Sequence, residues 1–159
     1  MNKIYLLLGS NIGPISKNLS LAKKHIQQEI GKINRESSVY VTKAWGKPDQ
    51  ADFLNQVIIV NTNLDPSKIM QLILKIEKSM GRVRTIKNAP RIIDIDILFY
   101  NKEIISLPNL SIPHPLIQER RFVLAPLNEL SPNLKHPILQ KNIHELLTCC
   151  KDSLAVNKI

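Results

Sequence analysis

Asp94 and Asp96 sit inside PRIIDIDILFY, residues 90–100, a run that is otherwise among the most apolar and β-branched in the chain. In an extended strand successive side chains alternate faces. Ile93, Ile95 and Ile97 would therefore point one way and the two carboxylates the other, roughly 6.6 Å apart. Like charges that close, beside a hydrophobic layer, are costly unless a cation lies between them or water covers them freely. A divalent metal on that face is the sharper reading, and a solvated strand face is the plainer one. Just upstream, GRVRTIKNAPR offers Arg82, Arg84, Lys87 and Arg91. Planar guanidinium forks chelate phosphate oxygens, so a basic loop entering a carboxylate strand has both halves of a nucleotide–magnesium site. The alternative is that Arg82 and Arg84 only complement the dipole at a helix end. GSNIG, residues 9–13, lacks the Gly-Lys-Ser/Thr ending of a P-loop and the third glycine of a dinucleotide fingerprint, so side chains and metal must hold any phosphate.

The elements that must position these residues follow from periodicity. Ile4 to Leu8 is a wholly apolar run ending at Gly9, which suits a central strand. Leu19, Ala22, Ile26 and Ile30 recur at helical spacing before Gly31. Val39 to Thr42 and Val57 to Leu64 read as strands flanking the polar loop KAWGKPDQAD, residues 43–52, a candidate binding segment. Asp65 and Pro66 form an N-cap and first-turn pair for a second helix whose stripe is Ile69, Leu72, Ile73, Ile76 and Met80, stopped at Gly81. The aspartate strand, about 92–99, completes the order β, α, β, β, α, β, which folds as an antiparallel sheet with both helices on one face. Beyond Asn101 the prolines break the chain into short pieces, with FVLAPLNEL and NIHELLTCC as short helices of an appendage on the sheet.

At 159 residues and 43% hydrophobic, the chain suits one globular domain, residues 1–159, with a proper core. A net charge of +9 points to an anionic partner without choosing among nucleic acid, acidic membrane and polyphosphate. Cys149 and Cys150 are adjacent, where a mutual disulfide would be badly strained, so they read as reduced cytosolic thiols. Neither an export signal nor a membrane span is legible.

KNAPRIIDIDIL with GRVR before it, GSN after the first strand, DFLNQ and PHPLIQERRFVLAPL together resemble the 6-hydroxymethyl-7,8-dihydropterin pyrophosphokinase family from Gly9 to about Leu130. The resemblance implies an α+β, ferredoxin-like βαββαβ core with a C-terminal strand and short-helix appendage. It also implies transfer of the β,γ-pyrophosphoryl group of ATP to the pterin hydroxymethyl oxygen, with two Mg2+ ions. On this resemblance Asp94 and Asp96 are the magnesium ligands and Arg82 and Arg91 the catalytic arginines. Arg84 and Arg120 fall on the phosphates, and Glu77, Ile97, Ser111 and His114 where the family contacts the nucleotide. His114, within IPHP, otherwise reads as a turn histidine satisfied by backbone. Phe53 and Phe122 take the positions of the family's two rings around the pterin, although phenylalanines are also ordinary core residues. Gly9, Asn55 and the segment Thr42, Lys43 to Trp45 would meet the pterin edge. Trp45, the single tryptophan, sits on a polar loop with no core to fill and reads as part of a lid. The expected partners are ATP and the pterin, with no nucleic acid or membrane, for a cytoplasmic monomer. Asn88 and Ala89 stand where many relatives have Trp-Gly.

Two other readings compete. RNA-binding βαββαβ modules stack bases on aromatics of the middle strands, and here those strands read VYVT and VIIVNTNL with a single Tyr40. A carboxylate-metal nuclease or nucleotidyltransferase would also use the aspartates, magnesium and arginines; its products would differ.

Overall fold

The computed structural model describes residues 1–44, 50–83 and 90–159. Strand β1 (Asn2–Ser10) leads to helix α1 (Ile15–Glu29), then β2 (Lys32–Glu36), β3 (Tyr40–Thr42), β4 (Phe53–Thr62), α2 (Pro66–Ser79) and β5 (Asp94–Tyr100). A hairpin of β6 (Ile105–Leu107) and β7 (Leu110–Ile112), a 3-10 turn (Ile117–Glu119), α3 (Arg121–Leu130), α4 (Ile143–Cys149) and β8 (Val156–Lys158) follow. The main sheet runs β5-β1-β4-β3-β8, with β2 also on β4, and all these pairs are antiparallel.

The strand expected at 39–42 is β3, and an additional strand, β2, precedes it. KINRE, with one apolar residue in five, carries no strand signal of its own; it is a strand because Ile58 to Asn61 of β4 offer it a free edge. Between β2 and β3 the ladder is broken, and Ser37 fills the gap: its amide donates to the Val57 carbonyl and its hydroxyl accepts from the Val57 amide at 3.0 Å. The buried β4 backbone thus stays hydrogen-bonded across the break.

The sheet is covered on both faces. On one, Ile4, Leu6, Leu8, Ile58, Val60 and the alternating Ile93, Ile95 and Ile97 pack against Leu19 and Ile26 of α1 and Ile69, Ile73 and Ile76 of α2. Each such fully buried isoleucine contributes about 1.5–3 kcal/mol relative to an exposed one. On the other face Tyr5, Leu7, Val57, Ile59 and Phe99 meet Val123, Leu124 and Leu127 of α3 and Ile143 and Leu146 of α4. The C-terminal segment, expected as an appendage on the sheet, therefore builds a second core layer. Pro126 lies inside α3, where it is buried together with Val123, Leu124 and Leu127. Among the described residues no helix is long and apolar enough to cross a membrane.

Helix α2 begins as its sequence specifies. Pro66 occupies the first turn, and the Asp65 carboxylate accepts from the Lys68 amide at 2.9 Å. It ends at Gly81, whose φ of 96° is open to glycine at little steric cost. Asp65→Ala should lower unfolding free energy by about 0.5–2 kcal/mol with an unchanged urea m-value, as read from equilibrium denaturation; an unaltered midpoint would mean the cap adds nothing.

Candidate active site

Strand β5 presents Asp94 and Asp96 on the face opposite α1 and α2, where Asp96 is paired with Leu7 and Asp94 with Gly9 of β1. A register shift between Tyr5 and Leu6 lets Phe99 follow on that same face, so the apolar second layer starts where the carboxylates stop. The end of the sheet near Gly9, Asn55 and Thr42 is left open as a cleft.

Asp94 is held by two arginines from opposite sides. Arg82, just past α2, donates to Asp94 Oδ1 at 2.8 Å and to Glu77 Oε2 at 2.8 Å, while Arg91 donates to Asp94 Oδ2 at 2.9 Å. Glu77 Oε2 also accepts from the Ile95 amide at 2.9 Å, which ties the end of α2 to the start of β5. Charge-assisted bonds of this length are the stronger kind, and here they join three segments around one carboxylate. Asp96 has its carboxyl pushed up to about 7, first by burial and then by the Asp94 charge, while Arg120 and Arg91 oppose the rise. The Arg120 guanidinium is itself driven down by burial, with Asp96 and Asp94 opposing, and lies 5.6 Å from the centre of the Phe122 ring.

Two clefts meet at this strand. The first, about 570 Å³ and open to solvent, is lined by Gly9, Thr42, Lys43, Phe53, Asn55 and Phe122, together with Arg91, Asp94, Asp96 and Arg120. The second, about 770 Å³, is lined by Ile97, Ser111 and His114 and again by Asp96. Asp96 thus stands at the seam. Within the first cleft the Asn55 amide donates to Thr42 Oγ1 at 2.7 Å, and a Cβ placed on Gly9 would lie 2.9 Å from Asn55 Oδ1. Glycine is what lets that oxygen sit over β1.

The residues expected from the sequence are therefore distributed as follows. The candidate pterin residues Gly9, Thr42, Lys43, Phe53, Asn55 and Phe122 converge on the first cleft, and Ile97, Ser111 and His114 on the second. Glu77 lines neither; it is buried beneath the site and holds Arg82 and β5. Arg82 does more than complement a helix dipole, since its guanidinium reaches Asp94. Trp45, Arg84 and Lys87 lie outside the described residues. Ala44 and Gln50 of the first cleft fall inside the segments marked from the sequence, whereas Leu7 there, and Met70 and Asn109 in the second cleft, were not singled out. Apart from their neighbours in the chain, nothing in their types marked them.

His114 combines both of its readings. Its Nδ1 accepts from the Leu116 amide at 3.1 Å and its own amide donates to the Leu98 carbonyl at 3.0 Å, so it is a turn histidine, yet its ring lines the second cleft. Burial, and then Arg120, push its pKa from 6.5 down to about 4, with Asp94 opposing.

An antiparallel α/β sheet that presents paired carboxylates amid guanidinium groups at the junction of two clefts has the ground plan of a phosphoryl-transfer enzyme. A family model for 7,8-dihydro-6-hydroxymethylpterin-pyrophosphokinase matches residues 5–132. The chain belongs to that family. It is 42% identical over 147 residues to the 2-amino-4-hydroxy-6-hydroxymethyldihydropteridine pyrophosphokinase of Aquifex aeolicus, covering 91% of this chain and 90% of the relative. It is 42% identical over 132 residues to the enzyme of the same name from Bacillus subtilis, covering 82% and 79%. The fold is also similar to the wild-type HPPK-DHPS of Plasmodium falciparum solved with pteroate, with a TM-score of 0.75 at 20% identity over 92% of this chain. This chain spans 42% of that longer protein.

Between about pH 4 and 6.5 the unfolded chain carries a proton on His114 that the folded chain lacks. The His114 contribution to stability should therefore rise with pH across that window and be lost as pH falls through it, against the opposite contribution of Asp96, whose raised pKa favours the folded chain at the acid end. Urea unfolding at several pH values should give a less positive slope of stability against pH for His114→Gln than for the parent between those limits, with parallel behaviour above them; equal slopes would mean the ring titrates normally.

Proposed function

We propose that the two clefts hold the two substrates of a pyrophosphoryl transfer, ATP in the second and 6-hydroxymethyl-7,8-dihydropterin in the first, with the reaction at their seam. Pyrophosphate transfer to hydroxymethyldihydropterin, in folate biosynthesis, is the reaction of this family and of this chain. The proposal concerns how these residues perform it. The observation that carries the assignment is that Asp96 lines both clefts while the remaining lining residues separate into two groups.

The pterin would lie between Phe53 and Phe122. Asn55, whose amide already donates to Thr42, would keep Oδ1 as an acceptor for the ring's donor edge, with Lys43 and Gly9 beside it. ATP would place its base near Ile97, Ser111 and His114. With Nδ1 accepting from Leu116, the neutral ring that burial imposes on His114 carries its proton on Nε2 and keeps a donor there without adding a cation. The pterin hydroxymethyl oxygen then forms a bond to the β-phosphorus, the bond from that phosphorus to the oxygen bridging to the α-phosphorus breaks, the hydroxyl proton is lost to solvent and AMP departs. Arg82 and Arg91, with Arg120 and Arg84 on the phosphates, would stabilise charge on the moving group.

The donor set fits magnesium. Asp94 and Asp96 are hard oxygen donors, and among the described residues no cluster of three or more His, Cys, Asp or Glu could hold an ion alone. Mg2+ commonly takes one or two carboxylates and completes its shell with substrate phosphates and water. Two bound ions would neutralise charge on the triphosphate. The raised Asp96 pKa fits a site that favours a nearby cation.

The order β5-β1-β4-β3 supports the ferredoxin-like plan, with β2 an added strand on β4. The face that an RNA-binding module of this plan uses is here occupied by α3, α4 and the first cleft, which weighs against a nucleic-acid partner. We read residues 1–159 as one domain acting as a cytoplasmic monomer.

Incubation with ATP and the pterin should release AMP in step with pterin consumption, and AMP covalently attached to the acceptor would instead indicate a nucleotidyltransferase. Asp94→Asn and Asp96→Asn should each abolish magnesium-dependent turnover, and near-parental rates in both would remove the metal assignment. Arg82→Ala and Arg91→Ala should each lower kcat by a factor on the order of 10² to 10³, the usual loss for one preorganised donor, and alter ATP affinity far less. Single-turnover and calorimetric measurements on the same samples separate the two effects.

A further inference from the structure

Asn11, in the GSN segment after β1, is buried at 6% exposure and is used on every side. Its amide N–H donates to the Arg91 carbonyl at 3.1 Å, and its side-chain Oδ1 accepts from the Arg91 amide at 2.9 Å. Its Nδ2 donates to Gln50 Oε1 at 3.3 Å and to the Ala51 carbonyl at 3.1 Å. One carboxamide therefore joins two opposed walls of the first cleft. Arg91 carries the guanidinium that meets Asp94, and Gln50 leads within three residues to Phe53, which also lines the cleft. The support beneath Asn11 is itself fixed, because Asn18 of α1 donates to Ser10 Oγ at 3.1 Å and to the Ile12 carbonyl at 2.9 Å.

We infer that Asn11 is a positioning residue for the transfer reaction: it sets the backbone of Arg91, and through it the guanidinium at Asp94, relative to the Gln50–Phe53 wall of the cleft. The inference rests on the reading of Arg91 as a group acting on the transferring phosphoryl chain. The residue type is demanded by the contacts. A planar amide supplies an acceptor and two donors at once; an aspartate of the same shape keeps the acceptor and loses both donors, and an alanine loses all three. Arg91 and its aspartate partner lie in series, so a small displacement of the Arg91 backbone moves the guanidinium that must meet developing charge.

The test is a double-mutant cycle with steady-state and single-turnover AMP release on the full chain. Asn11→Ala should lower kcat by a factor on the order of 10 to 10², the penalty of slight misplacement of a reacting group, with little change in KM for ATP. In an Arg91→Ala background the same substitution should have almost no further effect on kcat, because the group it positions is gone. Asn11→Asp keeps the acceptor for Arg91 and should retain most of kcat while raising KM for the pterin, since the Gln50–Phe53 wall is released. It also keeps the test usable if Asn11→Ala does not fold. A parental kcat in Asn11→Ala, losses that multiply fully in the double variant, or a parental pterin KM in Asn11→Asp each overturn the inference. If Arg91→Ala itself leaves kcat at the parental value, the reading of Arg91 fails first and this inference falls with it; a loss in Arg91→Ala alone overturns only the role of Asn11.

Discussion

The arrangement turns on one carboxylate, Asp94, bridged by Arg82 on one oxygen and Arg91 on the other. An anion at the start of a strand whose other face is packed with isoleucine would be expensive to desolvate by itself. The two guanidiniums compensate it, and Glu77 compensates Arg82 in turn while accepting from the backbone of Ile95. Helix α2, the residues that follow it and strand β5 are thereby joined by charge as well as by the apolar contacts of Ile73 and Ile76.

The same strand shows how a sheet can be both core and active surface. Its isoleucines close the layer under α1 and α2, and its opposite face changes character along its length, from Asp94 and Asp96 to Phe99. Helices α3 and α4 cover the apolar part and stop short of the carboxylates, which leaves a cleft bounded by Phe53, Phe122 and Arg120. The edge of that covering layer sets the solvent exposure of Asp96, and partial burial beside Asp94 is what raises its pKa. The electrostatic character of the site is thus a consequence of where the second core layer ends.

The framework around the clefts is assembled largely from backbone-directed side chains. Ser37 mends the gap between β2 and β3, Asn55 holds Thr42, Asn11 holds the Arg91 backbone, the Gln50 side chain and the Ala51 carbonyl, and Asp65 starts α2. Ser37, Asn11 and Asp65 use short polar side chains to satisfy backbone groups that a ladder or helix leaves unpaired, whereas Asn55 donates to the Thr42 hydroxyl. Glycine at position 9 belongs to the same set, since its missing Cβ is the space that Asn55 Oδ1 occupies.

Local pattern was enough for much of this. The alternation in residues 90–100 placed the carboxylates opposite the isoleucines, the three- and four-residue spacing placed α1 and α2, the Asp65–Pro66 pair placed the start of α2, and the apolar runs after residue 120 placed α3 and α4. These features depend on residues near one another in the chain, and periodicity or capping records them. Strand β2 escaped because its strand character is borrowed from β4, and the second core layer escaped because nothing local says which face a short helix will cover. The meeting of Arg82, Arg91, Glu77 and Asp94, the raised pKa of Asp96 and the four hydrogen bonds of Asn11 likewise belong to tertiary structure. The sequence could name the charged groups and the strand that bears the aspartates. Which of them touch, and how deeply they are desolvated, is decided by the packing of segments distant in the chain, because Coulomb energies and burial depend on distance in space and not on separation in sequence.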